Sequence, residues 1–214
     1  MTTEPIISAL PAAELLPPEH SGRITRAEES RAAGILAGRL LFQAGAFAPF
    51  KRDHNGVPCW PEGFSGSITH CLGEVAVAVR QGKALGIDME KISRVTEKIF
   101  LRISTPQEKD FLTELQDEQQ KEIFRALVFS AKEAAWKLVR SVSGDNPYWQ
   151  DLQVKWLMPQ HKVEVSYGKF PAEGFFFFHK NMIIVILEEK NEGAVSYPPW
   201  LTQRCMHRKT CGTE

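Results

Sequence analysis

The segment from Glu118 to Arg140 constrains the fold of this chain more than any other. Ile123, Phe124, Leu127, Val128, Ala131, Ala134, Ala135 and Leu138 recur at about 100° per residue and fill one broad apolar face of a helix. That face belongs to a core. The remaining sector carries Phe129, Lys132, Glu133, Trp136 and Lys137, and a purely solvated face seldom places two large aromatics beside its charges. Something covers this sector too. Glu133 and Lys137, four residues apart, would also suit a plain surface ion pair, and the pattern alone leaves both readings open.

Around this helix the chain reads as α+β. Pro5, Pro11, Pro17 and Pro18 break any period in the first twenty residues, which predicts an irregular lead-in. Thr25 and Glu28 form a capping box, and the run from Ala32 to Leu41 predicts a helix to about Gly45, with Arg31 and Arg39 near one face. Lys51 to Gly73, rich in Gly, Pro, Ser and His, predicts a loop. Val75, Val77 and Val79, a Gln81-Gly82 turn, then Leu85, Ile87 and Met89 predict a hairpin or two neighbouring strands. Thr105-Pro106-Gln107-Glu108 is a second capping box, opening a short helix to about Leu115. Strands are expected at Leu152 to Leu157, Val163 to Tyr167, Phe175 to His179 and Met182 to Leu187, with an irregular tail past Tyr197.

Composition removes some functions. Of 214 residues 43% are apolar, enough for a core without staples, and 26 basic residues balance 26 acidic ones. No global field draws the chain to nucleic acid or an anionic membrane, so a polyanion site must be a local cluster. Cys59, Cys71, Cys205 and Cys211 form no CxxC pair, and Cys205, His207 and Cys211 match no familiar zinc spacing. Free thiols, no secretory start and no apolar run long enough to span a bilayer predict a cytoplasmic protein.

Three short segments carry the chemistry. In Gly86-Ile87-Asp88-Met89-Glu90, strand alternation puts Asp88 and Glu90 on one face. This is either the solvated side of a half-buried strand or a pair of ligands. Were Asp88, Glu90 and Glu133 to converge, their mutual repulsion would raise their pKa values unless a cation sat among them, and hard oxygen ligands suit Mg²⁺ with phosphate completing its shell. Lys132 and Lys137 would then serve phosphate oxygens. Gly63 to Cys71 offers backbone N–H groups, the hydroxyls of Ser67 and Thr69, and the His70 imidazole, a combination suited to phosphate.

Gly63 to Cys71, Gly86 to Glu90 and Phe129 to Lys137 (FSAKEAAWK) resemble the three motifs of the phosphopantetheinyl transferase superfamily, in the order of its Sfp/EntD-like branch. The RAAGILAGR helix and the PCWP stretch resemble the siderophore-synthesis members in particular. The resemblance implies two similar α/β halves related by a pseudo-two-fold, 1–82 and 83–214, with coenzyme A in the cleft between them, in a monomer. It implies Mg²⁺ on Asp88, Glu90 and Glu133, with Asp88, Glu133 and Lys137 central to catalysis. It also implies nucleotide-phosphate contacts from His70, Thr69 and Ser67, pyrophosphate contacts from Lys132 and Lys137, and Arg31 and Arg39 near the adenosine end. Val57 stands where some relatives have a basic residue before proline, and Lys51 or Arg52 are the candidate replacements. The implied reaction transfers the phosphopantetheine arm of coenzyme A to a serine of an acyl or peptidyl carrier protein, releasing adenosine 3',5'-bisphosphate. The carrier would dock near Val95 to Ile103, unless Ile99, Phe100 and Leu101 are core. An Mg²⁺-dependent nucleotide phosphohydrolase and a non-catalytic coenzyme A binding module are the alternatives.

Overall fold

A computed structural model describes residues 4–17, 23–54, 57–157 and 160–190. It contains ten strands and four α-helices among these residues: β1 (Ile6–Pro11), α1 (Arg26–Gln43), β2 (Lys51–Arg52), β3 (Pro58–Cys59), β4 (Phe64–Cys71), β5 (Glu74–Gln81), β6 (Leu85–Lys91), α2 (Glu97–Ile103), α3 (Pro106–Glu114), α4 (Glu118–Ser143), β7 (Leu152–Leu157), β8 (Lys162–Tyr167), β9 (Phe170–His179) and β10 (Met182–Glu189). The expected α+β class holds. Thr25 and Thr105 each accept the N–H of the glutamate three residues on, and those glutamates bond back to the threonine N–H, so both capping boxes form. Asp117 caps α4, which ends at Gly144 with φ 76°, a left-handed stop that suits glycine.

The chain stacks in four layers. An antiparallel sheet, order β1-β5-β4, turns Val75, Val77 and Val79 toward α1 and Ala76 and Ala78 the other way. The alanines meet Leu85, Ile87, Met89, Met182, Ile184 and Ile186 of a second antiparallel sheet, order β6-β10-β9-β8-β7. The opposite face of that sheet, with Ile183, Val185, Leu187 and Val163, packs on Leu127, Ala131, Ala134, Ala135 and Leu138 of α4. The apolar face expected of the long helix is therefore its core face. Of these layers, α1 and the sheet β1-β5-β4 come from residues before Gly82, and α4 and the sheet β6-β10-β9-β8-β7 from residues after it. Ion pairs of Arg80 with Glu188, and of Glu74 with His179 and Lys180, join the two sheets.

Two expectations fail, and a third is met in one of its two forms. The lead-in is not irregular throughout, because Ile6–Pro11 form β1, with Pro5 just before it and Pro11 at its end, on a sheet edge where a missing N–H is tolerated. Gly63 to Cys71 is not a loop: β4 pairs along its whole length with β5, from Phe64 opposite Gln81 to Cys71 opposite Glu74. β5 and β6 form no hairpin but are neighbouring strands, packed face to face from two sheets. Gly82, at φ 88°, turns the chain out of one sheet and into the other, where β6 pairs with β10.

Candidate active site

The two sheets and α4 meet around a cleft of about 620 Å³. β6 sets its floor. Its alternation turns Gly86, Asp88 and Glu90 toward α4, and a side chain at Gly86 would come 2.0 Å from the Ala134 carbonyl. This contact brings helix and strand close enough for Glu133 and Lys137 to line the same cavity as Asp88 and Glu90. The three carboxylates named from the sequence thus converge.

Asp88 is held from three directions. Thr69 of β4 donates to Oδ1 at 3.1 Å, Ser130 of α4 donates to Oδ2 at 2.9 Å, and the Lys137 ammonium lies 2.8 Å from Oδ1. Lys137 also donates to the Ile87 carbonyl at 2.9 Å. Glu90 Oε1 accepts the Lys91 N–H at 2.8 Å and the Cys71 thiol at 3.2 Å, with Arg94 at 3.5 Å. Thr69 and Cys71, alternate residues of β4, therefore orient the two carboxylates of β6 from the neighbouring sheet. Glu133 is half-buried, and its carboxyl is pushed up to about 7 by burial and then by the charge of Asp88, with Lys137 opposing and Glu90 adding to the rise.

His70 faces the other way on β4, toward α1, and its Nδ1 lies 2.8 Å from Oε2 of Glu29. Arg23, Arg26 and Arg94 add positive charge to the cleft wall. None of these arginines was among the sequence candidates, nor were Glu29 and Ser130. Glu29 did leave a signal: it stands three, four and seven residues before Ala32, Ala33 and Leu36, a carboxylate in register with an apolar stripe, and it is buried. Ser130 likewise interrupts the buried face of α4.

Other candidates lie elsewhere. Lys132 is fully buried on another side of α4, where its ammonium meets Glu108 at 2.9 Å and the carbonyls of Ile103 and Trp149 at 2.8 and 2.9 Å. It is a structural cation, and burial holds its pKa below the usual lysine range. Lys132 and Lys137 are five positions apart, about 140° around a helix, so one lysine cannot share the other's side. Ser67 is buried in β4 and does not line the cleft, nor do the exposed Arg31, Arg39, Lys51 and Arg52. Arg31 lies about 200° around α1 from Glu29. Arg52 instead donates to the Ser30 carbonyl and sits over the Phe50 ring. In α2, Phe100 is core while Ile99 and Leu101 are exposed. Cys205, His207 and Cys211 lie outside the described residues.

The donor set suits a hard cation. Three carboxylates face one cavity, and the nearby Cys71 thiol, pushed up to about 11 by burial and then by Glu90, stays protonated and offers no soft thiolate. Among the described residues no three His, Cys, Asp or Glu groups stand ready-clustered for a metal ion. Asp88 and Glu90 are drawn instead onto Lys137 and Arg94. Mg²⁺ needs only one or two protein carboxylates when a phosphate and water complete its octahedron, so the residues fit it in kind. No helix among the described residues is long and apolar enough to cross a membrane.

Comparison with known proteins covers both halves. Residues 84–180 match the 4'-phosphopantetheinyl transferase superfamily, and residues 19–80 match the 4'-phosphopantetheinyl transferase N-terminal domain. The chain is 32% identical over 142 residues to 4'-phosphopantetheinyl transferase Svp of Streptomyces mobaraensis, covering 61% of this chain and 56% of that protein. It is 31% identical over 109 residues to 4'-phosphopantetheinyl transferase Npt of Nocardia iowensis, covering 50% and 43%. It is 30% identical over 133 residues to enterobactin synthase component D of Salmonella typhi, covering 55% and 52%. The chain thus spans about half the length of the curated relatives it matches.

Proposed function

The chain belongs to the 4'-phosphopantetheinyl transferase superfamily, and from that premise we propose that it moves the phosphopantetheine arm of coenzyme A onto a serine of an apo acyl or peptidyl carrier protein. The observation that carries this reading is the convergence of Asp88, Glu90 and Glu133 with Lys137, His70 and three arginines in one cleft. Such a cleft binds a diphosphate through its cations and keeps carboxylates beside it for a metal and a proton.

In this mechanism the serine oxygen attacks the phosphorus that bears the pantetheine arm. The bond from that phosphorus to the oxygen shared with the second phosphate breaks, and adenosine 3',5'-bisphosphate leaves. Asp88, Glu90 and Glu133 would hold Mg²⁺, which when bound neutralises charge on the diphosphate and on the departing oxygen. Lys137, anchored on the Ile87 carbonyl, reaches the diphosphate by exchanging part of its contact with Asp88. His70, Arg23, Arg26 and Arg94 bind the nucleotide phosphates. Glu133 takes the serine proton at its carboxylate.

The carrier docks beside α2, where exposed Ile99 and Leu101 follow Arg94 of the cleft wall. Because both halves of one chain line the cleft, the enzyme works as a monomer, in the cytoplasm. The relative named enterobactin synthase component D makes siderophore synthetases the first carriers to try. Mass spectrometry of apo carriers incubated with the protein, coenzyme A and Mg²⁺ tests the reading through the gain of one phosphopantetheine. Hydrolysis of coenzyme A without any carrier would point to a phosphohydrolase, and tight binding without product to a binding module; either outcome overturns the proposal.

A further inference from the structure

Glu29 has no role in the chemistry described so far, yet it is one of the few buried carboxylates of the chain. It sits one turn into α1, fixed by the Thr25 capping box, and reaches across to the β4–β5 turn. One oxygen accepts the backbone N–H of Gly73 in that turn, and the other meets Nδ1 of His70 at 2.8 Å. Leu72 and Gly73 both carry positive φ, at 50° and 85°, so the turn is tightly bent and its amide direction is set. Glu29 therefore joins the start of α1, the turn and the imidazole.

A carboxylate only accepts hydrogen bonds when ionised, so its contact with Nδ1 makes that nitrogen the protonated one. With Nδ1 engaged by Glu29, Nε2 is the ring nitrogen left to face the cleft that His70 lines. A neutral ring so arranged presents a lone pair at Nε2. To donate to a phosphate oxygen it carries a proton on each nitrogen, one directed at Glu29 and one at the ligand. The charged groups that line the cleft with this pair are Arg23, Arg26, Arg94, Lys137, Asp88, Glu90 and Glu133. The acidic charge of Glu29 would repel a phosphate on its own, whereas with His70 between them the imidazole donates to both.

We infer that Glu29 is a positioning residue that acts through His70, holding the imidazole so that Nε2 receives a phosphate of the substrate nucleotide. This rests on the transferase reading for its ligand, but the orientation of the ring does not. Glu29→Gln keeps an acceptor for the Gly73 N–H and nearly the same volume, so the turn is retained. Titration of coenzyme A and of adenosine 3',5'-bisphosphate against the parent, Glu29→Gln, His70→Ala and the double variant tests the idea. Each single change is expected to weaken binding about tenfold, the size of one hydrogen bond to a charged group, and the double variant should lose no more than His70→Ala alone. Losses that multiply in the double variant overturn the inference.

Nitrogen-detected NMR of the His70 ring supplies a readout without ligand. The parent should show the Nδ1-protonated form, and Glu29→Gln a mixture of tautomers; an unchanged ring spectrum also overturns the inference. Should the parent bind neither nucleotide while the ring behaves as expected, the transferase reading fails and the positioning role stands.

Discussion

Replacing Glu133 with glutamine separates the electrostatics of the cleft from its packing, because the amide keeps the shape and loses the charge. The Glu133 carboxyl rises from 4.5 to about 7 in the folded chain. A group whose folded pKa exceeds its unfolded value favours the fold while protonated. That contribution is complete below pH 4.5 and is lost as pH climbs through 7. At about 1.4 kcal/mol per pH unit, ionised Glu133 costs the metal-free fold about 3 kcal/mol. Urea unfolding of parent and Glu133→Gln, both in EDTA, at pH values from 4.5 to 8.5 measures this directly. The variant should gain on the parent by about 3 kcal/mol across that range, nearly all of it by pH 7.5. Mg²⁺ added at pH 8 should narrow the gap by stabilising the parent. Two stability curves running parallel from pH 4.5 to 8.5 would refute the burial of Glu133 beside Asp88 and Glu90. In the same variant, phosphopantetheine transfer should fall by two orders of magnitude or more, as about 10² to 10⁴-fold is expected for loss of a positioned proton acceptor.

Lys132→Met should destabilise the fold by about 3–5 kcal/mol in urea melts, since it strands Glu108 without its cation; a loss confined to coenzyme A affinity would restore Lys132 to the cleft. Gly86→Ala should cost several kcal/mol, on the order of a large core defect, because its methyl meets the Ala134 carbonyl; a wild-type melting temperature would disprove the close approach of β6 and α4. Mapping of iodoacetamide adducts by mass spectrometry should find Cys59 modified in the native protein, and Cys71 only after denaturation or well above pH 9, given its burial and its pKa of about 11.

Much of this architecture can be read in advance where one residue pattern serves one packing surface. α4 and the strands from Leu152 onward fall in that class, as do both capping boxes, because apolar periodicity and a Thr-x-x-Glu spacing are local properties. β4 escapes such a reading since its two faces serve different neighbours: Ile68 and His70 meet α1, while Thr69 and Cys71 meet the carboxylates of β6. Its polarity looks like a loop until those partners are known. Gly66 adds to the disguise, yet it is there because the Trp60 ring lies where a side chain would stand. Within the candidate site, Asp88, Glu90, Glu133 and Lys137 were legible from alternation and helical spacing. Lys132 was misplaced because neighbouring charges in sequence point about 100° apart on a helix. Arg23, Arg26 and Arg94 lie at or beyond the ends of regular elements, where no period marks them.

The hydroxyl of Thr69 and the thiol of Cys71 are borrowed goods: they come from the first half of the chain and aim acids owned by the second. A small slip of one sheet over the other would leave both halves folded while misdirecting Asp88 and Glu90. Under the proposed function, turnover is thus a sensitive gauge of sheet registry, and changes at the alanine-lined seam should be felt first in turnover and only later in melting temperature.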